Sequence, residues 1–260
     1  MEKSTMGLCQ RVFRRYLDSL YFAMRNERRA AQKVMMEPDS QARLLDCGCR
    51  EGNNTLQLAR CVGTQRILGL DYNLTVLRQA AQKGISPLQA DLNRDIPLEG
   101  NSVDVIVASD VLEHLNNPDI FVGEMYRVLR PNGYVVLDTP NLASWHNIFA
   151  LLIGIQPFSG PNITTMEDAD VGLVQQMHRS TRYPLSERVH VDCNGHELAR
   201  HIVVIAFVSL IKLFERWGFH LEQVHGFGYY PLPVPLAHIF QRLDPRHTHH
   251  VLIKARKPRV

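Results

Sequence analysis

The chain has 260 residues, 45% of them hydrophobic and 21% charged, with a formal net charge of +3. This length suits one α/β domain with some added structure, and the composition excludes general disorder. Residues 1–40 carry eight Lys/Arg and five Asp/Glu, so the excess charge sits there and the remainder lacks the basic stripe on which nucleic-acid binding depends.

The five cysteines (Cys9, Cys47, Cys49, Cys61, Cys193) are odd in number and irregular in spacing, unlike a secreted disulfide framework. Residues 1–30 lack the apolar core of a signal peptide. The longest apolar run, Ile202–Ile211 with Ser209 inside it, is too short for a membrane span of about 20 residues. A soluble, cytoplasmic protein without an integral membrane segment is expected.

Leu8, Val12, Tyr16, Leu20 and Ala23 recur at spacings of three and four, which predicts a helix over 8–36. Pro38 and Asp39 end it. From Arg43 strands and helices alternate. Strands are expected at Arg43–Cys47, Arg66–Leu70, Val103–Ala108 and Tyr134–Asp138, the last after a turn at Arg130–Gly133. Helices are expected at Asn54–Cys61, Asn73–Lys83 and Pro118–Leu129. Such alternation implies a parallel sheet covered on both faces. A helix over Asn147–Ile155 precedes Gly160–Asn194, which has no strong period and is read as a functional loop. Ile202–Ile205 is read as extended and Phe207–Trp217 as helical. Phe219–His225 and His250–Lys254 are read as final strands joined by a Pro-rich turn at Tyr230–Leu236.

The run Leu44-Leu45-Asp46-Cys47-Gly48-Cys49-Arg50-Glu51-Gly52 joins an apolar strand, an acid, a Gly-x-x-x-Gly turn and a helix. Glycines there let the backbone approach a ligand, and the helix offers unpaired N–H groups. A dinucleotide fingerprint would read G-x-G-x-x-G, and Asp46 would sit badly beside phosphates; it suits a ligand carrying ammonium and sulfonium charge. Asp71 ends the next strand, where a carboxylate accepts both ribose hydroxyls. Ala90-Asp91-Leu92 follows the third strand, with an acid for an adenine amino group and an apolar neighbour for the ring. Three acids at consecutive strand ends outline a ligand crevice.

This segment resembles the class I S-adenosylmethionine-dependent methyltransferases, in particular the group that includes ubiquinone-pathway and sugar- or natural-product-modifying enzymes. Their Asp-x-Gly-Cys-Gly-x-Gly turn is matched by Asp46–Gly52, with Arg50 in place of the middle glycine. Ser102–Val107 with Asp110-Val111-Leu112-Glu113-His114-Leu115, Val128–Tyr134 and Pro140–Trp145 are further family-like stretches. The resemblance covers roughly residues 43–145 and weakens towards 257. It implies a Rossmann-like α/β fold: a seven-stranded, mostly parallel sheet with helices on both faces and an antiparallel last strand. Residues 1–40 would be an N-terminal helical cap that closes over the cofactor, and 41–260 the methyltransferase domain, with 140–200 a substrate or lid insertion. It implies S-adenosylmethionine as cofactor, held by Asp46, Gly48, Cys49, Gly52, Asp71, Tyr72, Asp91, Leu92 and Ser109. The partner is then a small-molecule acceptor, with no nucleic acid; a homodimer is compatible with the reading.

Methyl transfer needs alignment, exclusion of water and, for a hydroxyl acceptor, loss of a proton. Histidine is the natural base, and eleven of the twelve histidines follow residue 140. His201 is the first catalytic candidate and His146 the second, with Trp145 beside it as a pocket wall; His190 and His196 are weaker lid candidates. Relatives often carry His-Ile-Arg-x-Phe-Thr at His201, where this chain reads His201-Ile202-Val203-Val204-Ile205-Ala206. Glu113 and His114 read as helix-entry or packing residues. His247-Thr248-His249-His250 has no adjacent carboxylate and is read as a loop entering a strand, and Cys47-x-Cys49 lacks zinc spacing; no metal site is expected. The expected function is methyl transfer to a hydroxyl of a sugar or secondary metabolite; the alternatives are a non-catalytic cofactor-binding member of the fold and a nucleotide-dependent oxidoreductase.

Overall fold

The computed structural model describes residues 8–160 and 201–259. Helix α1 (Leu8–Met35) comes first, then β1 (Arg43–Cys47), α2 (Asn53–Val62), β2 (Arg66–Asp71), α3 (Leu74–Gln82), β3 (Ser86–Gln89) and β4 (Val103–Ser109). A 3₁₀ turn at Leu112–His114 leads to α4 (Pro118–Val128), β5 (Leu129–Pro140) and α5 (Trp145–Leu152). After the undescribed stretch come α6 (Phe207–Arg216), β6 (His220–Phe227), α7 (Val234–Leu243), a second 3₁₀ turn (Pro245–His247) and β7 (His250–Arg256).

The seven strands form one sheet in the order β3-β2-β1-β4-β5-β7-β6. All neighbours pair in parallel except β7, which runs antiparallel to both β5 and β6. The central strands read as near-continuous apolar runs because helices cover both faces; β1 and β4 are buried along most of their length. β3 is a short edge strand containing Pro87, a residue tolerated where one side of the ladder is unpaired. Two hydrophobic clusters lie on opposite faces of the sheet. One gathers Phe121, Met125, Leu210 and Phe214 from α4 and α6 against the strands. The other gathers Met24, Met35, Leu58 and Leu77 from α1, α2 and α3.

Helix ends follow local chemistry. At α3 the Asn73 side chain accepts from the Thr75 N–H at 2.8 Å, and at α4 Asn117 caps the helix with Pro118 at its first position, where the missing N–H costs nothing. Two expectations need correction. Arg130–Gly133 lies inside β5, with Asn132 at φ 68° and an irregular register against β4. The stretch joining the last two strands holds α7 and the second 3₁₀ turn, because Pro233 and Pro235 sit at the helix entry, where proline starts a helix as readily as it makes a turn. Residues 202–205 belong to no helix or sheet strand, and the Ile202 and Val203 N–H groups donate to the Glu113 carbonyl. The expected loop at 160–194, with His190 and His196, lies outside the described residues beyond Gly160. Among the described residues no helix is long and apolar enough to cross a membrane.

Candidate functional site

The crevice opens between β1 and β4, where the strand order reverses, a position at which open α/β sheets bind ligands at the carboxyl ends of their strands. The turn after β1 is anchored by the Gly48 and Cys49 N–H groups, which both donate to the Leu70 carbonyl, at 2.7 and 3.0 Å. Gly48 has φ 74°, and a Cβ built on it would stand 2.6 Å from Val111 Cγ2, so this turn and the segment after β4 touch only because residue 48 has no side chain. Arg50, in place of a glycine, is held at φ 51°, and its N–H donates to Asp71 Oδ2 at 2.9 Å.

The expected acids take their places along the edge. Asp46 is buried and accepts from the Thr55 hydroxyl at 2.5 Å. Burial, with Asp71 and Asp138 nearby, pushes its carboxyl up to about 7 against the pull of Thr55, and no side-chain cation figures among those influences. Asp71 is half-buried; its Oδ1 accepts from Asn73 N–H at 2.9 Å. Each of its oxygens therefore accepts one backbone bond and keeps further acceptor capacity. Asp91, also half-buried, accepts from the Asn93 N–H at 2.9 Å. Two expected contacts are modified. Leu92 packs into the core with only 9% exposure, and the Cys49 side chain turns inward, with its sulfur where a Cβ on Gly69 would collide. Cys49 can thus meet a ligand through its main chain only. Tyr72 is exposed and Gly52 sits at φ 79° as the entry to α2.

S-adenosylmethionine has an ammonium, a sulfonium, a ribose diol and an adenine, and the donor set fits each. A buried carboxyl lies near the end of β1, a carboxylate with spare acceptor capacity ends β2, and a further acid follows β3.

Beyond β4 and β5 lies a polar chamber roofed by α1. Arg28, buried on the apolar stripe of α1, donates from Nη1 to Asp110 Oδ1 at 2.7 Å and from Nη2 to Asp110 Oδ2 at 2.8 Å. Its Nη1 also lies 2.6 Å from Asp138 Oδ2 and 2.6 Å from His250 Nδ1. Guanidinium only donates, so His250 Nδ1 accepts and the ring is neutral with its proton on Nε2. Burial and the adjacent Arg28 hold its proton affinity well below the ordinary range, despite Asp110. The same guanidinium outweighs desolvation and holds Asp110 below the usual carboxylate range, whereas burial keeps Asp138 above it. Gln32 donates to the Ser109 hydroxyl at 2.8 Å and to Asp138 Oδ1 at 2.7 Å. Asp110 itself is strained at φ 51°.

The two catalytic candidates border this chamber. His146 Nε2 lies 3.0 Å from His249 Nδ1, and His249 packs on His250 with ring centroids 4.6 Å apart. His201 Nδ1 is 3.1 Å from the Ser159 carbonyl, and its ring is 5.2 Å from that of His114. Both candidates are near enough to His250 to lower its proton affinity further. Trp145 donates to Tyr229 and Asp244. The reading of residues 247–250 is corrected in one respect: His250 does face carboxylates, Asp110 and Asp138, because the antiparallel return of β7 sets it beside the end of β5. Sequence reasoning missed Arg28, Gln32, Asp138 and the role of Asp110. The available signal was two polar residues on the buried stripe Leu17, Leu20, Met24, Arg28, Gln32, Met35.

This sheet order, with β7 reversed and acids at the ends of its first three strands, defines the class I S-adenosylmethionine-dependent methyltransferase fold. Residues 45–137 match the family described as Methyltransferase domain, and this part of the chain is similar to S-adenosylmethionine-dependent methyltransferases. It is 37% identical over 99 residues to a probable S-adenosylmethionine-dependent methyltransferase of Mycolicibacterium smegmatis, covering 38% of each chain. It is 28% identical over 133 residues to the mitochondrial ubiquinone biosynthesis O-methyltransferase of Rattus norvegicus, covering 46% of this chain and 37% of that one. The chain thus spans under two-fifths of the length of either relative. The solved structure of a putative S-adenosylmethionine-dependent methyltransferase from Listeria monocytogenes shares the fold at TM-score 0.57 and 17% identity, over 90% of this chain and 99% of that one.

Proposed function

We propose that the chain transfers a methyl group from S-adenosylmethionine to a hydroxyl of a small molecule, in the range of sugars and secondary metabolites. The observation that carries this reading is the set of three carboxylates, Asp46, Asp71 and Asp91, at the ends of three adjacent parallel strands around the glycine turn. S-adenosylmethionine supplies a methyl group activated by its sulfonium. Asp46 answers the positive ammonium end, Asp71 the ribose hydroxyls and Asp91 the adenine amino group. Gly48, Gly52, Tyr72 and Ser109, with the Cys49 main chain, complete the cofactor wall.

Residues 1–40 act as a cap over the cofactor, with Arg28 and Gln32 tying α1 to the ends of β4 and β5. Histidines favour oxygen as the acceptor atom: His146 and His249 form a direct ring-nitrogen contact, so one ring can take a proton as the other supports its tautomer. His146 is assigned as the base and His201 as an acceptor-side residue. The rat relative's printed name, an O-methyltransferase, agrees with this assignment.

The test is turnover of S-adenosylmethionine against a panel of hydroxylated sugars and phenols, read as S-adenosylhomocysteine and a methylated product by mass spectrometry. A hydroxyl-methylated product that is lost in His146→Ala supports the reading. Tight cofactor binding without turnover on any hydroxyl, amine or carbon acceptor would favour a non-catalytic member of the fold, for which Arg50 in the glycine turn is the specific motive.

A further inference from the structure

We propose that Glu113, His114 and His201 form a site for one divalent first-row metal ion, with zinc the best match, at the rim of the acceptor chamber. Each side chain offers one ligand atom, and these atoms all lie within 4.8 Å of one another. Two imidazoles and a carboxylate are the donor set of catalytic zinc sites, which leave a fourth position open for an exchangeable oxygen ligand.

The site is assembled from two segments far apart in the chain. The Ile202 and Val203 N–H groups donate to the Glu113 carbonyl at 2.6 and 3.2 Å, which seats His201 against the turn carrying Glu113 and His114. Two of the three ligands are also oriented from behind. The Ser159 carbonyl, 3.1 Å from His201 Nδ1, can only accept. Nδ1 therefore carries the proton and Nε2 keeps its lone pair. The Thr139 hydroxyl donates to Glu113 Oε2 at 2.9 Å, and Oε1 lies 4.0 Å from His114 Nε2. Hydrogen bonds of this kind fix the tautomer and aim of metal ligands.

Bonds of about 2.0–2.2 Å in a tetrahedron set donors about 3.3–3.6 Å apart, so no pair has to close by more than about 1.2–1.5 Å. His114 and His201 are both partly exposed and can make that adjustment by side-chain rotation while buried Glu113 stays fixed. The neighbouring set of Asp110, Asp138 and His250 converges to the same limit, but there the guanidinium of Arg28 already serves as the cation. No Lys or Arg is ion-paired to Glu113 among the described residues. The ion's open position suits the oxygen of an acceptor hydroxyl; that role rests on the O-methylation reading, whereas binding of the ion does not.

The experiment is titration of the chelator-treated full chain with Co²⁺, followed by its visible ligand-field absorption, with Zn²⁺ as competitor and elemental analysis for stoichiometry. One equivalent is expected. Binding should weaken at least about 10–100-fold in His114→Ala and in His201→Ala, since losing even an outer partner costs that much. Asp71→Ala and His247→Ala should bind as wild type, and circular dichroism checks that each variant is folded. Absence of stoichiometric Co²⁺ binding at micromolar concentration, or undiminished binding in both histidine variants, overturns the proposal. Metal binding that persists in a protein without affinity for S-adenosylmethionine would refute the methyltransferase reading and leave this site standing.

Discussion

Replacing Arg28 with Met removes one buried cation and strands two carboxylates. Arg28 is 3% exposed and Asp138 1%, while the Asp110 side chain keeps 44% exposure. Asp110 can recover part of its hydration; Asp138 cannot. Breaking a buried pair by deleting one partner costs about 3–5 kcal/mol, and the partial exposure of Asp110 puts the expected loss near the lower end, about 3 kcal/mol at about pH 8. The loss is pH-dependent with a definite sign. Asp138 already titrates above the usual carboxylate range, and without Arg28 both acids move higher. The variant's folded state then binds more protons than its unfolded state, so its stability falls as pH rises through that window and recovers on acidification. The deficit relative to wild type should therefore shrink by about 1–2 kcal/mol between about pH 8 and pH 5. Urea unfolding followed by Trp145 and Trp217 fluorescence and by circular dichroism measures this. Arg28→Met/Asp138→Asn should regain about half of the loss, because the stranded charge is gone. A deficit below about 1 kcal/mol, or one independent of pH, would refute the view that Arg28 is the counter-ion of this chamber.

Two further outcomes follow from the crevice. Asp46, with its carboxyl raised to about 7, is about half protonated near neutrality, so binding of the cofactor's ammonium should release about half a proton per site. Calorimetry in buffers of different ionisation enthalpy reads that release, and Asp46→Asn should abolish it. Arg50→Gly relieves a non-glycine residue from φ 51°, a conformation costing about 1–2 kcal/mol. Offset by glycine's greater freedom in the unfolded chain, about 0.5–1 kcal/mol, thermal unfolding should show a neutral to slightly stabilised variant. A marked loss would mean that the Arg50 side chain holds the turn through its own contacts.

The parts of the fold that were legible are those where one local pattern decides. β1 is bounded by Ala42 and the turn that begins at Gly48, and its apolar run admits one reading; α1 declares itself by its period. β3 was indistinct because an edge strand is half-solvated and Ser86–Gln89 is largely exposed. α7 was hidden by prolines that can open a helix or make a turn. The crevice acids were legible because each ends a strand, and strand ends converge on one edge of a parallel sheet. The chamber was not. Arg28, Asp110, Asp138 and His250 lie up to 222 residues apart, and only the antiparallel return of β7 and the docking of α1 bring them together. Arg28 was visible only as a polar residue in an apolar stripe, a pattern that on an isolated helix reads as solvated surface.

The most direct test of the central claim is calorimetry of S-adenosylmethionine and S-adenosylhomocysteine binding to the wild type, Asp71→Asn and Asp71→Ala. Asp71 Oδ1 and Oδ2 each accept one backbone N–H and are assigned both ribose hydroxyls. Losing two bonds to a charged acceptor, each worth about 1.5–3 kcal/mol, should weaken Asp71→Ala by on the order of 100-fold or more, with Asp71→Asn between it and the wild type. Micromolar binding to the wild type that falls in this order is the predicted result. No binding to the wild type, or equal affinity in all three proteins, would contradict the account.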